Sequence, residues 1–392
     1  MDETLELGGI VVIVVPTTAL QDQWFEQLRY DLKMGPAVLG RIGGVRADFD
    51  LKHRVVLSVL DSARAKLPVL LDYWHSAGEQ VLLLIDECHR LGSTEAKTLL
   101  RSPTARSLGL SATPQLANGS FEPQIEAGLG PVVYELPLRR ALDDGLLAPL
   151  RLLDIYFHLG PAELHEYRAV QAQIGPLKSS LAHDHPELNA SGGFLQILAG
   201  LASIDERANR LLGLINQNRR LVANSKERRR IFSELVASGL FDDRRSIVFN
   251  ETIDQAEGSL KIASNHGLAA VMDHSKLPAA KRTRAIQQFK TGVASTLIAV
   301  RTVDEGIDVP EASLAVINSG TLTKRQRVQR IGRVVRPSGG TTASVISLLA
   351  AETTEEYLVG MDDPDLVGPE RVRSHNDIPG PEETAWLLGA DS

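Results

Sequence analysis

Two adjacent carboxylates follow an apolar run in the stretch "LLLIDECHRL" (82–91). Open α/β sheets bind their ligands at the carboxyl ends of their strands, so Asp86 and Glu87 stand where a ligand would be held. Asp86 could bind a hard cation such as Mg²⁺ through oxygen, and Glu87 could orient or deprotonate a water molecule. An acidic turn between a strand and a loop is the alternative interpretation of the same pair.

Hydroxyl groups end two further apolar runs of the sequence. The run "LGLSATP" ends with Ser111 and Thr113, and the run "VVPTTALQDQW" continues into Thr17 and Thr18. Such hydroxyls suit contacts with phosphate, and the helix expected after the second run offers free backbone amides at its first turn. Ordinary capping of that helix by Thr17 or Thr18 is the alternative.

Arginines recur at a spacing of three in "QRVQRIGRVVRP" (326–337), which contains Arg330, Arg333 and Arg336. On a helix this spacing aligns the guanidinium groups along one side, where they repel one another unless an anion binds them. The planar fork of arginine fits phosphate oxygens. A solvated basic helix face is the alternative, although Gly332 inside the run is unfavourable for a purely structural helix.

Composition limits the class of protein. The 392 residues exceed one ordinary core, and 43% apolar with 23% charged residues is typical of a globular protein. The net charge of -7 argues against a uniformly basic surface, although a single groove can still be basic. Cys88 is the one cysteine, which excludes internal disulfides and favours the cytoplasm. The first apolar run (8–15) is too short to span a bilayer, so no membrane partner is expected.

The pattern along the chain predicts an α/β fold with four parts. Apolar runs alternate with amphipathic stretches over residues 1–150, which indicates a parallel sheet covered on both faces. Helical periodicity dominates 151–238, which predicts a helical insertion. The alternation resumes over 239–350 as a second sheet domain, and the acidic segment 351–392 is expected to be a loosely packed or disordered tail.

Residues 10–350 resemble the two RecA-like domains of superfamily 2 DExH-type helicases, in the branch with UvrB, the repair helicase XPB and the restriction motors. Six short motifs occur in the order of that family. They are "PTTALQDQW" (motif Ia), "DECH" (II), "SATP" (III), "SIVFN" (IV), "DEGIDVP" (V) and "QRIGRVVR" (VI). The resemblance implies an ATP-dependent nucleic-acid helicase or translocase that uses Mg²⁺, with DNA favoured over RNA because the repair and restriction relatives act on DNA.

The same resemblance implies individual roles. Asp86 would hold Mg²⁺ on the phosphates of ATP, and Glu87 would activate the attacking water. The groups that would reach the phosphates across the interdomain cleft are Gln329, Arg333 and Arg336. Those near the ribose would be Gly306 and Asp308. Those that would couple the nucleotide to movement are His89, Ser111 and Thr113. Those along the nucleic-acid strand would be Thr17, Thr18, Gln21, Ser58, Asn250 and Thr302, the last near Val300, where relatives often have Thr or Ser.

The phosphate-binding loop of the family, GxxxxGK[ST], does not occur in the sequence. Its strand would lie beside the "SLGLSAT" strand, so weak ATP binding and an exposed apolar sheet edge are expected. Three explanations are open: a start assigned too late or a fragment, a partner chain that supplies the loop, and a protein that does not hydrolyse ATP. The last is the alternative function, a nucleic-acid-binding or regulatory subunit of a repair, restriction or defence complex.

Three smaller features have two interpretations each. The basic runs "NQNRR" and "KERRR" could flank a strand-binding groove or form solvated helix faces. The "HDH" stretch (183–185) favours a polar loop over a metal site. Cys88 is expected to pack rather than to react.

Overall fold

The computed structural model describes residues 1–44, 47–92, 97–111, 123–189, 194–300, 312–318, 342–359, 371–375 and 379–388. The chain divides into two compact units, Met1–Glu135 and a second unit that begins at Leu136. Each unit is built on one parallel sheet, which confirms the predicted α/β class. Among the helices in these ranges, none has the length and apolar character needed to cross a membrane.

The sheet in the described part of the first unit has the strand order β2-β3-β1-β4-β5. Its strands are β1 (Ile10–Val15), β2 (Leu39–Ile42), β3 (Val55–Val59), β4 (Val81–Asp86) and β5 (Arg106–Leu110). Its helices are α1 (Asp2–Glu6), α2 (Thr18–Tyr30), α3 (Leu60–Ser76), α4 (Lys97–Leu100) and α5 (Pro123–Leu129), with a 3₁₀ turn at Cys88–Gly92.

The central strand β1 explains why this sheet is covered on both faces. All six residues of "IVVIVV" are buried, and successive side chains of a strand point to opposite faces. Val12 and its alternate neighbours pack against the core that includes Leu67 and Trp74 of α3. Val11 and its alternate neighbours pack against the core that includes Leu28 of α2. A continuous apolar run is therefore the pattern that a strand between two helical layers requires.

The sheet in the described part of the second unit has the order β12-β6-β11-β10-β7-β9-β8. Its strands are β6 (Leu150–Phe157), β7 (Ser246–Asn250), β8 (Ala270–His274), β9 (Thr296–Val300), β10 (Leu314–Ile317), β11 (Ala343–Ala350) and β12 (Arg371–His375). Its helices are α6 (Leu138–Asp143), α7 (Pro161–Asp184), α8 (Phe194–Leu201), α9 (Glu206–Ala223), α10 (Lys226–Ala237), α11 (Ile253–Asn265), α12 (Ala279–Lys290), α13 (Thr354–Val359) and α14 (Pro381–Leu388).

The helices between β6 and β7 belong to two cores. Parts of α7, α8 and α9 enclose a small apolar cluster of their own, which includes Leu181, Leu198 and Leu211. In contrast, α10 packs Ile231 and Phe232 into the main core of the second unit. The predicted insertion is therefore a helical projection followed by a helix that covers the sheet.

The structure differs from the predicted division of the chain in three places. The first unit ends at Glu135 and not at residue 150. The run "LRLLDIYF" of β6 is a fully buried strand between β11 and β12, so residues 151–157, predicted to be helical, belong to the second sheet. The tail predicted to be loose provides β12, which pairs with β6, and α14, which buries Leu387. Backbone pairing of β12 and the burial of Leu387 therefore attach part of this acidic segment to the second unit.

Candidate functional site

The predicted pair of carboxylates lies at the carboxyl end of β4. Asp86 is half-buried, and each of its oxygens accepts one hydrogen bond: Oδ1 from the backbone N–H of Glu87 at 2.9 Å and Oδ2 from the indole Nε1–H of Trp24 at 3.1 Å. Glu87 has a φ of 51°, in the left-handed region that non-glycine residues rarely adopt. Such backbone strain concentrates at functional sites, where the surrounding structure holds it in place. The acidic pair is therefore fixed by both side-chain and backbone contacts.

Residues of the second and third motifs meet beside this pair. β4 and β5 are parallel neighbours, so Ser111, the residue after β5, lies next to the turn after β4. The Nδ1 atom of His89 forms a hydrogen bond of 2.9 Å with Ser111 Oγ and lies 3.3 Å from Glu87 Oε2. The His89 side chain is only 5% exposed. The structure thus brings together three of the residues predicted to act with the nucleotide.

The carboxylates fit a divalent cation that keeps ligands from outside the protein. Each Asp86 oxygen has accepted one hydrogen bond and retains a lone pair, and Mg²⁺ prefers oxygen ligands. The described parts of the chain contain no group of three or more His, Cys, Asp or Glu side chains that could enclose a metal. Asp86 with Glu87 therefore suits Mg²⁺ held partly by water and phosphate oxygens. For ATP the fit is incomplete, because the sequence has no phosphate-binding loop.

The exposed sheet edge predicted from the missing loop is present. Strand β5 is the end strand among the described strands of its sheet, and Leu108 and Leu110 are 39% and 41% exposed. An apolar strand with free backbone groups on one side is suited to pairing with a further strand.

Thr17 and Thr18, both predicted to bind nucleic acid, have different environments at the start of α2. Thr17 caps the helix, because its hydroxyl accepts from the backbone N–H of Leu20 at 3.3 Å. Thr18 is exposed on the first turn. The alternative interpretation therefore describes Thr17, whereas Thr18 is accessible to a nucleic-acid strand.

Two residues predicted to bind the nucleic-acid strand form hydrogen bonds inside the first unit instead. Gln21 is buried, and its Nε2 atom donates to the carbonyl oxygens of Ile42 and Leu57, both at 3.1 Å. Ser58 is fully buried and its hydroxyl donates to the Val59 carbonyl at 3.3 Å. These polar side chains satisfy backbone carbonyl groups of β2 and β3. We therefore replace their predicted role in binding nucleic acid by a structural role.

Asn250 requires the same correction in the second unit. Its side chain is fully buried at the end of β7, where Oδ1 accepts from Ser259 Oγ at 3.0 Å and from Asn318 Nδ2 at 3.1 Å. Its Nδ2 atom donates to the carbonyl of Val248 at 3.2 Å. The amide joins neighbouring elements and is not accessible to a strand.

Seven predicted residues lie outside the described ranges, and their roles stay predictions. They are Thr113, Thr302, Gly306, Asp308, Gln329, Arg333 and Arg336.

The structure shows the contacts of the "KERRR" run, of "HDH" and of Cys88. Within "KERRR", Arg228 is buried in an ion pair with Glu355, and Arg230 pairs with carboxylates on its own helix. The prediction of a polar loop at "HDH" was wrong for His183 and Asp184, which are the last residues of α7, and His185 directly after the helix contacts Glu187 at 3.3 Å and Asp205 at 3.5 Å. Burial raises the pKa of the Cys88 thiol to about 11, which keeps it protonated and unreactive at neutral pH.

Sequence reasoning missed Trp24 as a neighbour of the carboxylates. The residue closes the quoted motif "PTTALQDQW", and an indole N–H that is partly buried usually has an acceptor. That general rule was the available signal, but it does not identify Asp86 as the acceptor.

Two family models match the sequence. The model of the type III restriction enzyme res subunit matches residues 2–116, and the helicase conserved C-terminal domain matches residues 227–338. The order of the two matches is the order of the two units.

Curated relatives cover most of the chain. The DNA 3'-5' translocase XPB2 of Sulfurisphaera tokodaii is 28% identical over 83% of this chain and 69% of its own length. The putative DNA 3'-5' helicase Rad25 of Haloarcula marismortui is 25% identical over 90% of this chain, and the DNA 3'-5' helicase XPB of Kineococcus radiotolerans is 24% identical over 84%. The chain spans about half the length of the latter two, 48% and 50%.

Solved structures share the fold. The chain matches Saccharomyces cerevisiae Dbp5 bound to RNA and ADP BeF3 with a TM-score of 0.55 at 15% identity, over 94% of this chain and 78% of that one. It matches the Pyrococcus furiosus Hef helicase domain with a TM-score of 0.54 at 17% identity, over 90% and 88%. The six motifs, the family models and the curated relatives confirm the predicted resemblance: the chain is similar to superfamily 2 DExH-type helicases, in the branch that contains XPB and the restriction motors.

Proposed function

We propose that this chain is the motor part of an ATP-dependent DNA helicase or translocase. The observation that carries the proposal is the contact group Glu87, His89 and Ser111 beside Asp86, at the ends of β4 and β5. This group connects a carboxylate pair suited to phosphate chemistry with Ser111 at the end of β5, which can move with the nucleotide. The names of the curated relatives, all DNA 3'-5' translocases or helicases among those described above, favour DNA as the track.

In this proposal each residue has a defined task. Asp86 holds Mg²⁺, which supplies positive charge for the phosphates when it is bound. Glu87 orients and deprotonates the attacking water. For Gln329, Arg333 and Arg336 we keep the role implied by the family, contact with the phosphate charge, which is worth about 10³–10⁵ in rate for an arginine finger. Thr18 contacts the nucleic-acid backbone at the start of α2.

The phosphate-binding loop is the group that the proposal still needs. We propose that it comes from residues encoded upstream of Met1 or from a partner chain, and that its strand pairs with the exposed edge of β5. Pairing would cover Leu108 and Leu110 and place the loop beside Ser111.

The test measures ATP hydrolysis with and without single-stranded DNA, duplex DNA and RNA of equal length. It uses the chain as printed, a form extended by the codons upstream of Met1, and any chain that co-purifies from the native host. We expect DNA-stimulated hydrolysis in a form that contains the loop. Glu87→Gln should lower turnover by about 10²-fold or more and leave oligonucleotide affinity unchanged.

The matched control is Glu6→Gln, because Glu6 is an exposed carboxylate in the same unit and lies outside the site. Equal turnover of Glu87→Gln and the wild type would contradict the role of Glu87.

A second candidate function is a nucleic-acid-binding or regulatory subunit that does not hydrolyse ATP. The absence of the GxxxxGK[ST] pattern from the sequence favours it. Oligonucleotide binding without hydrolysis in all three forms would support this function and contradict the motor.

A further inference from the structure

Trp24 joins helix α2 to the carboxylate at the end of β4. Its indole donates to Asp86 Oδ2 at 3.1 Å, while the other carboxylate oxygen accepts from the backbone of Glu87 at 2.9 Å. A carboxylate with a fixed donor on each oxygen has one preferred orientation. Groups that orient a metal ligand in this way affect metal affinity without touching the metal.

A second side chain of α2 fixes the same helix to the sheet. Gln21 lies three residues before Trp24, so both project from one side of the helix. Gln21 donates to the carbonyls of Ile42, at the end of β2, and of Leu57, in the middle of β3, and the Trp24 ring packs against the core on that face of the sheet. With the contact between Trp24 and Asp86, helix α2 is thereby connected to three strands.

The start of α2 is the accessible part of this arrangement. Thr17 caps the helix and Thr18 is exposed on its first turn. From Thr18 to Trp24 the helix rises about 9 Å without interruption. A ligand that shifts the first turn therefore shifts the indole, and with it the hydrogen bond to Asp86.

We propose that Trp24 is a positioning residue that orients the Asp86 carboxylate for a divalent cation and links cation affinity to strand binding at the start of α2. The inference rests on the proposed function for the identity of the two ligands. Coupling between two binding sites is reciprocal. Bound nucleic acid therefore changes the affinity of the protein for the cation by the same factor as the bound cation changes the affinity for nucleic acid.

The test uses Mn²⁺ as the probe and measures free Mn²⁺ by electron paramagnetic resonance, with and without a single-stranded DNA oligonucleotide. Trp24→Phe keeps an aromatic ring and removes the N–H donor together with part of the ring volume, and the second change is also made by the Trp74→Phe control. We expect it to weaken Mn²⁺ binding about 10-fold. We also expect the oligonucleotide to change the Mn²⁺ affinity of the wild type by about 5-fold or more, and this factor to be lost in Trp24→Phe.

Two controls locate the effect. Trp74→Phe alters a buried tryptophan of the same unit whose ring packs edge-on against Phe49 at 6.3 Å, and it should leave both quantities within about 2-fold of the wild type. Asp86→Asn should abolish the binding. Trp24→His keeps a ring N–H and should recover part of the affinity, which a merely structural role of the indole would not predict.

The proposal is overturned if Trp24→Phe, folded as judged by its thermal midpoint, retains the affinity and the coupling factor of the wild type. It is also overturned if Asp86→Asn and the wild type bind Mn²⁺ equally. Failure of the motor function gives a different result: no DNA-stimulated ATP hydrolysis in any form, with the coupling between Mn²⁺ and the oligonucleotide intact.

Discussion

The guanidinium of Arg228 lies against the carboxylate of Glu355 in the interior of the second unit, where their side chains are 1% and 4% exposed. Arg228 also donates to the carbonyls of Val222 at 3.2 Å and Leu348 at 2.9 Å, and lies over the ring of Phe157 at 4.9 Å. These contacts tie the junction of α9 and α10 to the carboxyl end of β11. Arg228, although it belongs to the basic run "KERRR", thus stabilises the interior of the second unit.

Removing one partner of this pair is expected to destabilise the second unit. Arg228→Met keeps much of the side-chain volume but leaves the Glu355 carboxylate buried without its cation, which costs about 3–5 kcal/mol. Urea unfolding followed by circular dichroism measures the loss. Arg230→Met is the control, because Arg230 pairs with Glu227 and Glu234 at the exposed surface, where a pair contributes about 0–1 kcal/mol. Equal losses of unfolding free energy in the two variants would contradict a stabilising role of the buried pair.

The His89 and Ser111 contact is expected to couple hydrolysis to movement. Ser111→Ala removes the 2.9 Å hydrogen bond and leaves Asp86 and Glu87 unchanged, so strand displacement per ATP should fall more than the rate of hydrolysis. The measurement compares unwinding of a labelled duplex with phosphate release, in a form of the protein that hydrolyses ATP. Ser107→Ala, on β5 itself and with a hydroxyl that donates to the Gly128 carbonyl at 3.4 Å, is the control. Parallel losses of both rates in Ser111→Ala would contradict a coupling role.

Asn250 and Thr18 are expected to respond in opposite ways to truncation. Asn250→Ala removes the buried acceptor of Ser259 Oγ and of Asn318 Nδ2, although these two side chains still contact each other at 3.2 Å. The loss should cost about 1–3 kcal/mol in urea unfolding, with unchanged oligonucleotide affinity in the folded protein. Thr18→Ala should weaken oligonucleotide binding, measured by fluorescence anisotropy, and leave stability within about 0.5 kcal/mol. A direct loss of affinity in folded Asn250→Ala would restore the role that the sequence indicated.

Cys88 gives a prediction for alkaline pH. Burial is the main cause that raises its pKa to about 11 from an ordinary value of 9.0, so the unfolded chain loses this proton first as the pH rises. The contribution of Cys88 to stability is therefore complete below pH 9 and is lost between pH 9 and 11, by up to about 3 kcal/mol. The difference in unfolding free energy between the wild type and Cys88→Ala should shrink over that range. A difference independent of pH would contradict the shifted pKa.

The strands and the acidic pair were predictable from the sequence because both depend on local pattern. A strand covered on both faces must be apolar throughout, as β1 is. A carboxylate pair that ends such an apolar run must lie at the carboxyl ends of the strands. The assignment of Asp86, Glu87, His89 and Ser111 to one neighbourhood followed from the family motifs, and β4 and β5 bring them together.

The roles of single polar side chains were not predictable in the same way. Gln21, Ser58 and Asn250 lie at strand or helix ends, where a polar group can either satisfy the backbone or bind a ligand. Which of the two occurs depends on neighbours far along the chain, such as Leu57 for Gln21 and Asn318 for Asn250. The placement of β6 was missed for a similar reason, since its partners β11 and β12 lie far ahead in the sequence.

The position of β6 between β11 and β12 has a consequence for biosynthesis. The ribosome makes β6 early, and roughly 190 residues must follow before β11 emerges, which takes about 10–40 s at about 5–20 residues per second. During that interval the run "LRLLDIYF" has neither neighbour to pair with. The nascent chain must therefore keep an apolar strand from aggregating until β11 has been made, which is the situation in which chaperones act on exposed apolar segments.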